Sequence, residues 1–552
     1  MLLRAWDGKD GTHRFTAKGT VWLMGVRIGG DLDCAGAALD GGGGAALTAQ
    51  GAEITGDVFL RAWDGKNGTH RFAAKGTVWL GGARIGGNLD CAGADLDGGG
   101  AAALNAQGAE IKGSVLLRAW DGKDGTHRFT AKGRVWLFGT RIGGRLECHG
   151  ADLGDLNARE LRVDNDVRFQ PRLSGWALFP RAQIGGSLDL EGLTLLDNDK
   201  RLLPALDLTD AAIARSLVVR GLTVAPDAPP DADAGTAATP KQPARKPRIV
   251  LAQAACGALD DAHGRGWSGD VTLDLDGFTY RHVADHAGAS REVDGSARLS
   301  VLREWRPGQP LPKLPNPIVT EVDVLAARRA WLALQFPAGK PDRYTYRAQP
   351  YEQLISVLNA QGSSDQARAL LRDKAGIEAR FVRWPWRALY RASFGFLFGY
   401  GLSSRRALAT FVAFVALGTA LTIAARDHGL LVVDTQPSAG IVILDDAGQP
   451  VETGMPAFAR GANVRANLPC VGEISPPVYA ADLAIPLLDL QDGGRCTIRA
   501  STPADGPVLA AGFLTHPDVW RLGKAIYSGL GWIVTSLMVL TVAGVFRRAA
   551  ER

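Results

Sequence analysis

Cysteine and histidine are the residues of this chain with the broadest chemistry, and both recur on a fixed spacing. Cys34, Cys91 and Cys148 stand 57 residues apart and alternate with apolar neighbours. That setting reads as a ladder of small core side chains rather than a redox or metal array, and no Cys-x-x-Cys occurs. His13, His70 and His127 share the period. Two strand layers apart they would lie about 10 Å from one another, too far to share one ion, so repeat inheritance accounts for them. His282 and His286 have the spacing of ligands on one helix face but lie in a polar loop, and no third ligand can be named. The glycine run Gly41 to Gly44 lies between strands, whereas a nucleotide-cradling loop needs a strand before it and a helix after. No residue is therefore assigned a catalytic, cofactor-binding or metal-ligating role.

A binding surface is better supported. Trp22 stands between Val21 and Leu23, so inward-pointing neighbours would turn the indole outward; Trp79 and Trp136 repeat the arrangement. Arg27, Arg84 and Arg141 follow at a constant offset. A row of exposed Trp and Arg is what a binding face requires. The competing expectation is that bulging turns cover the rings.

The elements that would position these residues come from internal repetition. LRAWDGKDGTHRF begins at Leu3, returns at Leu60 with Asn67 in place of Asp, and returns at Leu117. An Ala-x-Ile-x-Gly-x-(Leu or Val) pattern subdivides each unit, as ARIGGNLDC from Ala83 and AEIKGSVLL from Ala109, and degenerate copies follow from Ala182, Ala211 and Gly266. Such period-two alternation between glycines predicts short strands stacked coil on coil. The expected fold class is mainly β. It comprises an N-terminal parallel β-helix (solenoid), a small helical segment, and two transmembrane α-helices flanking an external loop domain. The solenoid would occupy 1–285, with the DGKDGTH segments as bulging turns and a disordered Pro/Ala/Asp-rich insertion at about 225–247. A globular all-β domain is the alternative. Residues 286–320 read as a linker and 321–400 as a helical juxtamembrane region, with helices broken at Gly362. Because Met1 aligns with Val58, the array begins mid-coil without a visible cap. The expectation is either an upstream capped start or end-to-end self-association through the solenoid end.

Two uncharged apolar stretches, 407–425 and 526–546, approach the ~20 residues that cross a bilayer. Arg380, Arg383, Arg387, Arg391, Arg405 and Arg406 precede the first, and Arg547, Arg548 and Arg552 follow the second. Positive residues stay inside, so both termini, including the tail 547–552, are expected in the cytoplasm and 426–525 outside. Cys470 and Cys496 then share an oxidising compartment and form a natural disulfide, closing a loop worth roughly 3–4 kcal/mol. MLLRAWDGKDGTH is no signal peptide, since no apolar run follows it. The net charge of +5 over 552 residues argues against a nucleic-acid partner.

Three motifs in the C-terminal half carry a family resemblance: PYEQL…LNAQG…AR between Pro350 and Arg368, GYG followed by Arg405, Arg406 and Ala407, and VYAADLAIPLLDL from Val478. The last fits Tyr-x-x-Asp-x-x-x-Pro through Tyr479, Asp482 and Pro486. On these the chain resembles a bacterial family of two-pass membrane proteins with N-terminal pentapeptide-like or right-handed β-helix repeats. Its members are often labelled membrane-associated oxidoreductases. The resemblance implies an inner-membrane location and, through its label, redox chemistry, but brings no catalytic residue with a counterpart here. The triplet Gly399, Tyr400, Gly401 precedes the first span rather than lying between the two as a channel filter does, and reads as an interfacial anchor or hinge. Asp482 and Asp489 have helical spacing in an apolar segment and would orient it at the membrane surface. The leading functional expectation is a non-catalytic, membrane-anchored scaffold or sensor whose partners are the bilayer and a cytoplasmic protein. A membrane oxidoreductase and a self-assembling β-helix polymer are the alternatives.

Overall fold

Short alternating segments become strands, many of only two residues, and successive strands stack in parallel instead of folding back on one another. The computed structural model describes residues 1–197, 203–226, 246–284, 291–294, 318–321, 323–337, 340–381, 386, 388, 391–401, 403–433, 470, 474–485, 496–502 and 516–544. They divide into two units, Met1–Leu370 and Leu371–Arg552. Most of the segment read as an insertion, most of the linker 286–320, Pro486, Asp489, His286 and the tail 547–552 lie outside the described residues.

In the first unit the chain alternates between a 14-stranded and a 17-stranded sheet, each built of parallel pairs. Leu32 pairs with Val58, and Val58 with Leu89. The steps of 26 and 31 residues also appear in the hydrogen bonds joining Asp57 to Asp31 and Asn88 to Asp57. One 57-residue repeat therefore makes two rungs, one short and one long. From Arg145 onward the repeat decays and steps of 21 residues appear, as from Asp166 to Ser187.

Parallel register places like on like. Ile28, Ile54, Ile85, Ile111 and Ile142 form one continuous inner column, and Val163, Ile184 and Ile213 extend it. All are buried, and each such side chain contributes about 1.5–3 kcal/mol relative to exposure. The residue after the glycine at each of these corners is polar for an equally local reason. Asp31 Oδ1 accepts the Asp57 N–H at 2.9 Å, Asp57 Oδ1 the Asn88 N–H at 2.5 Å, and Asn88 Oδ1 the Ser114 N–H at 2.7 Å. A Cβ on Gly87 would stand 2.2 Å from that Asp57 oxygen, so the corner requires glycine. The repeated WDG and GTH triplets form antiparallel hairpins. Arg14 ties the first of these down by donating to Gly36 O, Ala37 O and Arg71 O, and Arg71 repeats the grip on Gly93 O and Ala94 O.

Helices close the last rung of this unit. α1 (Val324–Ala333), capped by Asp323, is followed by Leu334, whose carbonyl accepts the N–H of Leu273 on the last strand of the smaller-numbered sheet at 2.9 Å. α2 (Gln349–Ala360) lies along the last strand of the 17-stranded sheet, Thr279–Val283. Gln349 exchanges hydrogen bonds with Gly277 N and Phe278 O, Gln353 donates to Tyr280 O at 2.7 Å, and Gln361, just past the helix, donates to Val283 O at 2.7 Å. Glutamine side chains thus take the place of a further strand. Of the region 321–400, expected to be helical, α1 and α2 fall in the first unit. α1 is anchored by a buried ion pair. Arg328 Nη1 reaches both oxygens of Asp261 at 2.8 and 2.9 Å with side chains 2% and 0% exposed, and Asp261 also accepts from Trp267 Nε1 and Gly264 N.

α3 (Ser364–Glu378) runs through the division between the units. In the second unit, α4 (Ser404–Asp427) and α6 (Pro517–Val542) are long and apolar enough to cross a membrane. α6 begins nine residues before the expected 526, because Pro517 at its first turn starts a helix readily and a half-polar turn precedes the apolar run. Between them in sequence lies α5 (Pro476–Ala484). Tyr527 Oη donates to Ala480 O and Phe414 O at 3.2 and 3.3 Å, and its ring stacks on Phe414. Gly418 makes this possible: a Cβ there would meet Tyr527 Oη at 2.1 Å. Strands Leu431–Val433 and Cys496–Ile498 pair antiparallel, and Cys470 is bonded to Cys496.

Arg328→Met leaves the Asp261 carboxylate buried and unpaired, which costs about 3–5 kcal/mol. In urea titrations of the solubilised chain the unfolding midpoint of the β unit should fall accordingly. The double change Asp261→Leu with Arg328→Met should recover part of that loss, since no uncompensated charge remains, while Trp267 Nε1 loses its acceptor at a cost of about 1–3 kcal/mol.

Candidate functional site

The tryptophans expected to form a face do share one column. Trp22 pairs with Thr48, Thr48 with Trp79, Trp79 with Asn105, and Asn105 with Trp136. Trp therefore recurs on every second rung, about 10 Å apart, with short polar residues between. Trp22 is 69% exposed and Trp79 38%; Trp136 is half-buried. A second column, in the 17-stranded sheet, runs Arg27, Glu53, Arg84, Glu110, Arg141. Glu53 binds Arg27 and Arg84 at 3.0 Å each. These pairs are exposed and worth at most ~1 kcal/mol apiece, so the arginines remain available to another anion.

Beyond Arg141 the alternation of charge breaks. Its next partner in register is Arg162, followed by Gln183. Like charges directly opposite one another are unfavourable, and among the described residues neither Arg141 nor Arg162 has an acidic partner within ion-pair distance. The same rungs depart from the pattern a second time. Earlier corners place glycine at positive φ, at Gly25, Gly51, Gly82, Gly108 and Gly139; the next two carry Glu160 at φ 56° and Arg181 at φ 58°. Ordinary side chains are disfavoured in that conformation. Glu160 and Arg181 form an ion pair, and with Arg141, Arg162 and Gln183 they line an open polar hollow of about 350 Å³. Sequence reasoning missed Glu160, Arg162, Arg181 and Gln183. The signal was present in the alignment of RELRV with the earlier QGAEI, where glycine and glutamate are both replaced.

Cys34, Cys91, Cys148 and Cys256 are buried and unpaired with one another. Burial pushes the Cys34 thiol up to about 12, helped by neighbouring Asp33, and raises Cys256 to about 12. Burial also raises Cys91 and Cys148. They stay protonated and carry no thiolate chemistry. The repeated histidines sit in the hairpins: His13 and His70 stack on Trp6 and Trp63, and His127 Nε2 lies 2.8 Å from Asp124. Hydrogen bonds, from the Lys66 backbone first and then Thr12, hold Asp7 below the usual carboxylate range. Among the described residues no group of three His, Cys, Asp or Glu could hold a metal ion.

In the second unit Tyr479 is buried, donates to Cys496 O at 3.1 Å, and lies with its ring centroid 5.4 Å from Lys524 Nζ. Asp482 is half-buried on the same helix; Pro486 lies outside the described residues. Tyr400, with φ 59°, sits in a single turn before α4 and not between the two long helices.

The raised thiols tie stability to pH. Each is neutral in the fold and ionises more readily once unfolded, so its contribution is complete below about pH 9 and is lost as pH rises toward about 12. Over that window stability should fall by up to ~1.4 kcal/mol per pH unit for each thiol. Cys34→Ala and Cys256→Ala should flatten the slope in urea titrations. No family model, no curated protein and no solved structure matches the chain.

Proposed function

We propose that this chain is a two-pass bacterial inner-membrane protein whose β unit is a parallel β-helix serving as a cytoplasmic binding arm, a scaffold or sensor without catalysis of its own. The observation that carries the reading is the Trp22, Trp79, Trp136 column in one sheet, with Arg27, Arg84 and Arg141 repeating on the same period in the other. It sets rigid, amphipathic rings and planar cations at a fixed repeat, which suits recognition of an extended or repetitive protein partner bearing acidic groups. Rigid strands hold the rings, so little side-chain freedom is lost on binding.

The membrane reading is supported by α4 and α6. Leu408, Val412, Leu417 and Leu421 on the first, and Ile526, Leu530, Trp532 and Ile533 on the second, are exposed apolar side chains. Bilayer hydrocarbon would cover them. Arginines before α4 and after α6 favour a cytoplasmic location for both ends, and the Cys470–Cys496 disulfide suits the oxidising side.

Two measurements check this. Because the four thiols of the β unit are buried, orientation needs an exposed reporter. Lys9→Cys should resist an impermeant maleimide in intact cells and label fully once they are opened, whereas labelling in intact cells reverses the topology. For the binding face, Trp79→Ala should cut partner recovery from native membranes at least fivefold while leaving the melting temperature of the β unit within about 2 °C. A large melting shift would make the ring a packing element instead.

A further inference from the structure

α4, α5 and α6 line an open cavity of about 210 Å³, to whose wall Leu431 and Ile498 of the disulfide-tied strand pair also contribute. Its walls are almost entirely apolar, with Leu421, Leu483, Trp520 and the bare backbone of Gly523 prominent among them. The few polar atoms at its edge have partners within the protein. Tyr479 Oη is bound to Cys496 O, Tyr527 Oη to Ala480 O and Phe414 O, and Thr422 Oγ1 to Gly418 O. Water needs two to four polar partners to occupy such a space, and an apolar cavity of this size stays dry and takes up hydrocarbon. Left empty, its lining forgoes dispersion contacts on one side.

Position identifies the occupant. The cavity lies where α4 ends, near Ala425, and where α6 begins, near Val519 and Gly523, so it opens at the margin of the apolar belt that those helices present. Lys524 also lines it, with Nζ 5.4 Å from the Tyr479 ring centroid, and brings a positive charge to the region in which a head group would lie. We propose that this cavity is a lipid site that seats the hydrocarbon chain of an anionic amphiphile, with a fatty-acyl chain between the helices and its head group beside Lys524. This rests on the reading of α4 and α6 as membrane spans.

Gly523 provides the test. It shares a helix face with Trp520 and Tyr527, and a Cβ built on it meets nothing within 4 Å. Larger side chains at this position can grow into the cavity without moving the backbone. Gly529, on the same helix but not part of the lining, is equally open and serves as control. The full chain in native membranes is exposed to a diazirine-bearing palmitate, irradiated, and the crosslinked peptides are identified by mass spectrometry. Label should concentrate on peptides containing Leu421, Leu483 and Trp520. It should fall modestly in Gly523→Ala and at least fivefold in Gly523→Leu, and persist in Gly529→Leu. Melting temperature and an intact Cys470–Cys496 bond establish that the variants fold. Label unchanged in Gly523→Leu, or lost equally in Gly529→Leu, means only bulk lipid was sampled and overturns the site. Carbonate extraction separates the two ideas: release of the chain from membranes defeats the two-pass reading, whereas a retained chain with unspecific label defeats the lipid site alone.

Discussion

Parallel pairing of equivalent residues is the constraint on which the β unit depends. A strand of two or three residues cannot hold a partner alone, but when it lies in register between an earlier and a later copy its N–H and C=O groups are satisfied on both sides. Register then dictates composition. Whatever occupies a position in one rung faces its counterpart in the next, so an inner column such as Ile28 to Ile142 must be apolar throughout. The polar corner column from Asp31 to Ser114 must offer an acceptor to the next backbone N–H. Glycine at the corners follows from the same closeness, because that acceptor occupies the space of a Cβ.

Such a stack must end somewhere, and its last strand has the unpaired edge that natural sheets avoid. Here the answer is chemical mimicry. Gln349, Gln353 and Gln361 carry amide groups that meet the edge of Thr279–Val283 much as another backbone would. The helix bearing two of them is held in a unit pinned by the Arg328–Asp261 pair. A buried pair of this kind adds little stability relative to an apolar substitute, yet it fixes one placement of α1 over Trp267 and Gly264.

The second unit solves a different problem with few contacts. Its two long helices meet through a glycine, Gly418, that admits the Tyr527 ring, and Gly531 lets α5 approach α6. Hydrogen bonds from Tyr527 and Thr535 to the carbonyls of Ala480 and Ala484 bind α5 to α6. Small residues let the helix backbones approach closely, and hydroxyls bond across them. The cavity is the space such an arrangement leaves beside the disulfide-tied strands.

Periodicity made much of this legible beforehand. The 57-residue repeat, the inward isoleucines and cysteines, the outward Trp22 and Trp79 and the two apolar helices are properties of local pattern, and local pattern decides which side of a strand or helix turns to the core. What the sequence could not disclose was which residues from distant segments come together. The division of one repeat into rungs of two lengths, the glutamines that finish a sheet, and the Arg328–Asp261 pair across 67 residues arise only when the chain is packed. The same holds for the hollow at Arg141, Arg162 and Arg181. Arg162 and Arg181 look like ordinary surface residues in their own segments, and only register sets them on the rungs that follow Arg141, because pairing distance is set by backbone hydrogen bonds and not by separation along the chain.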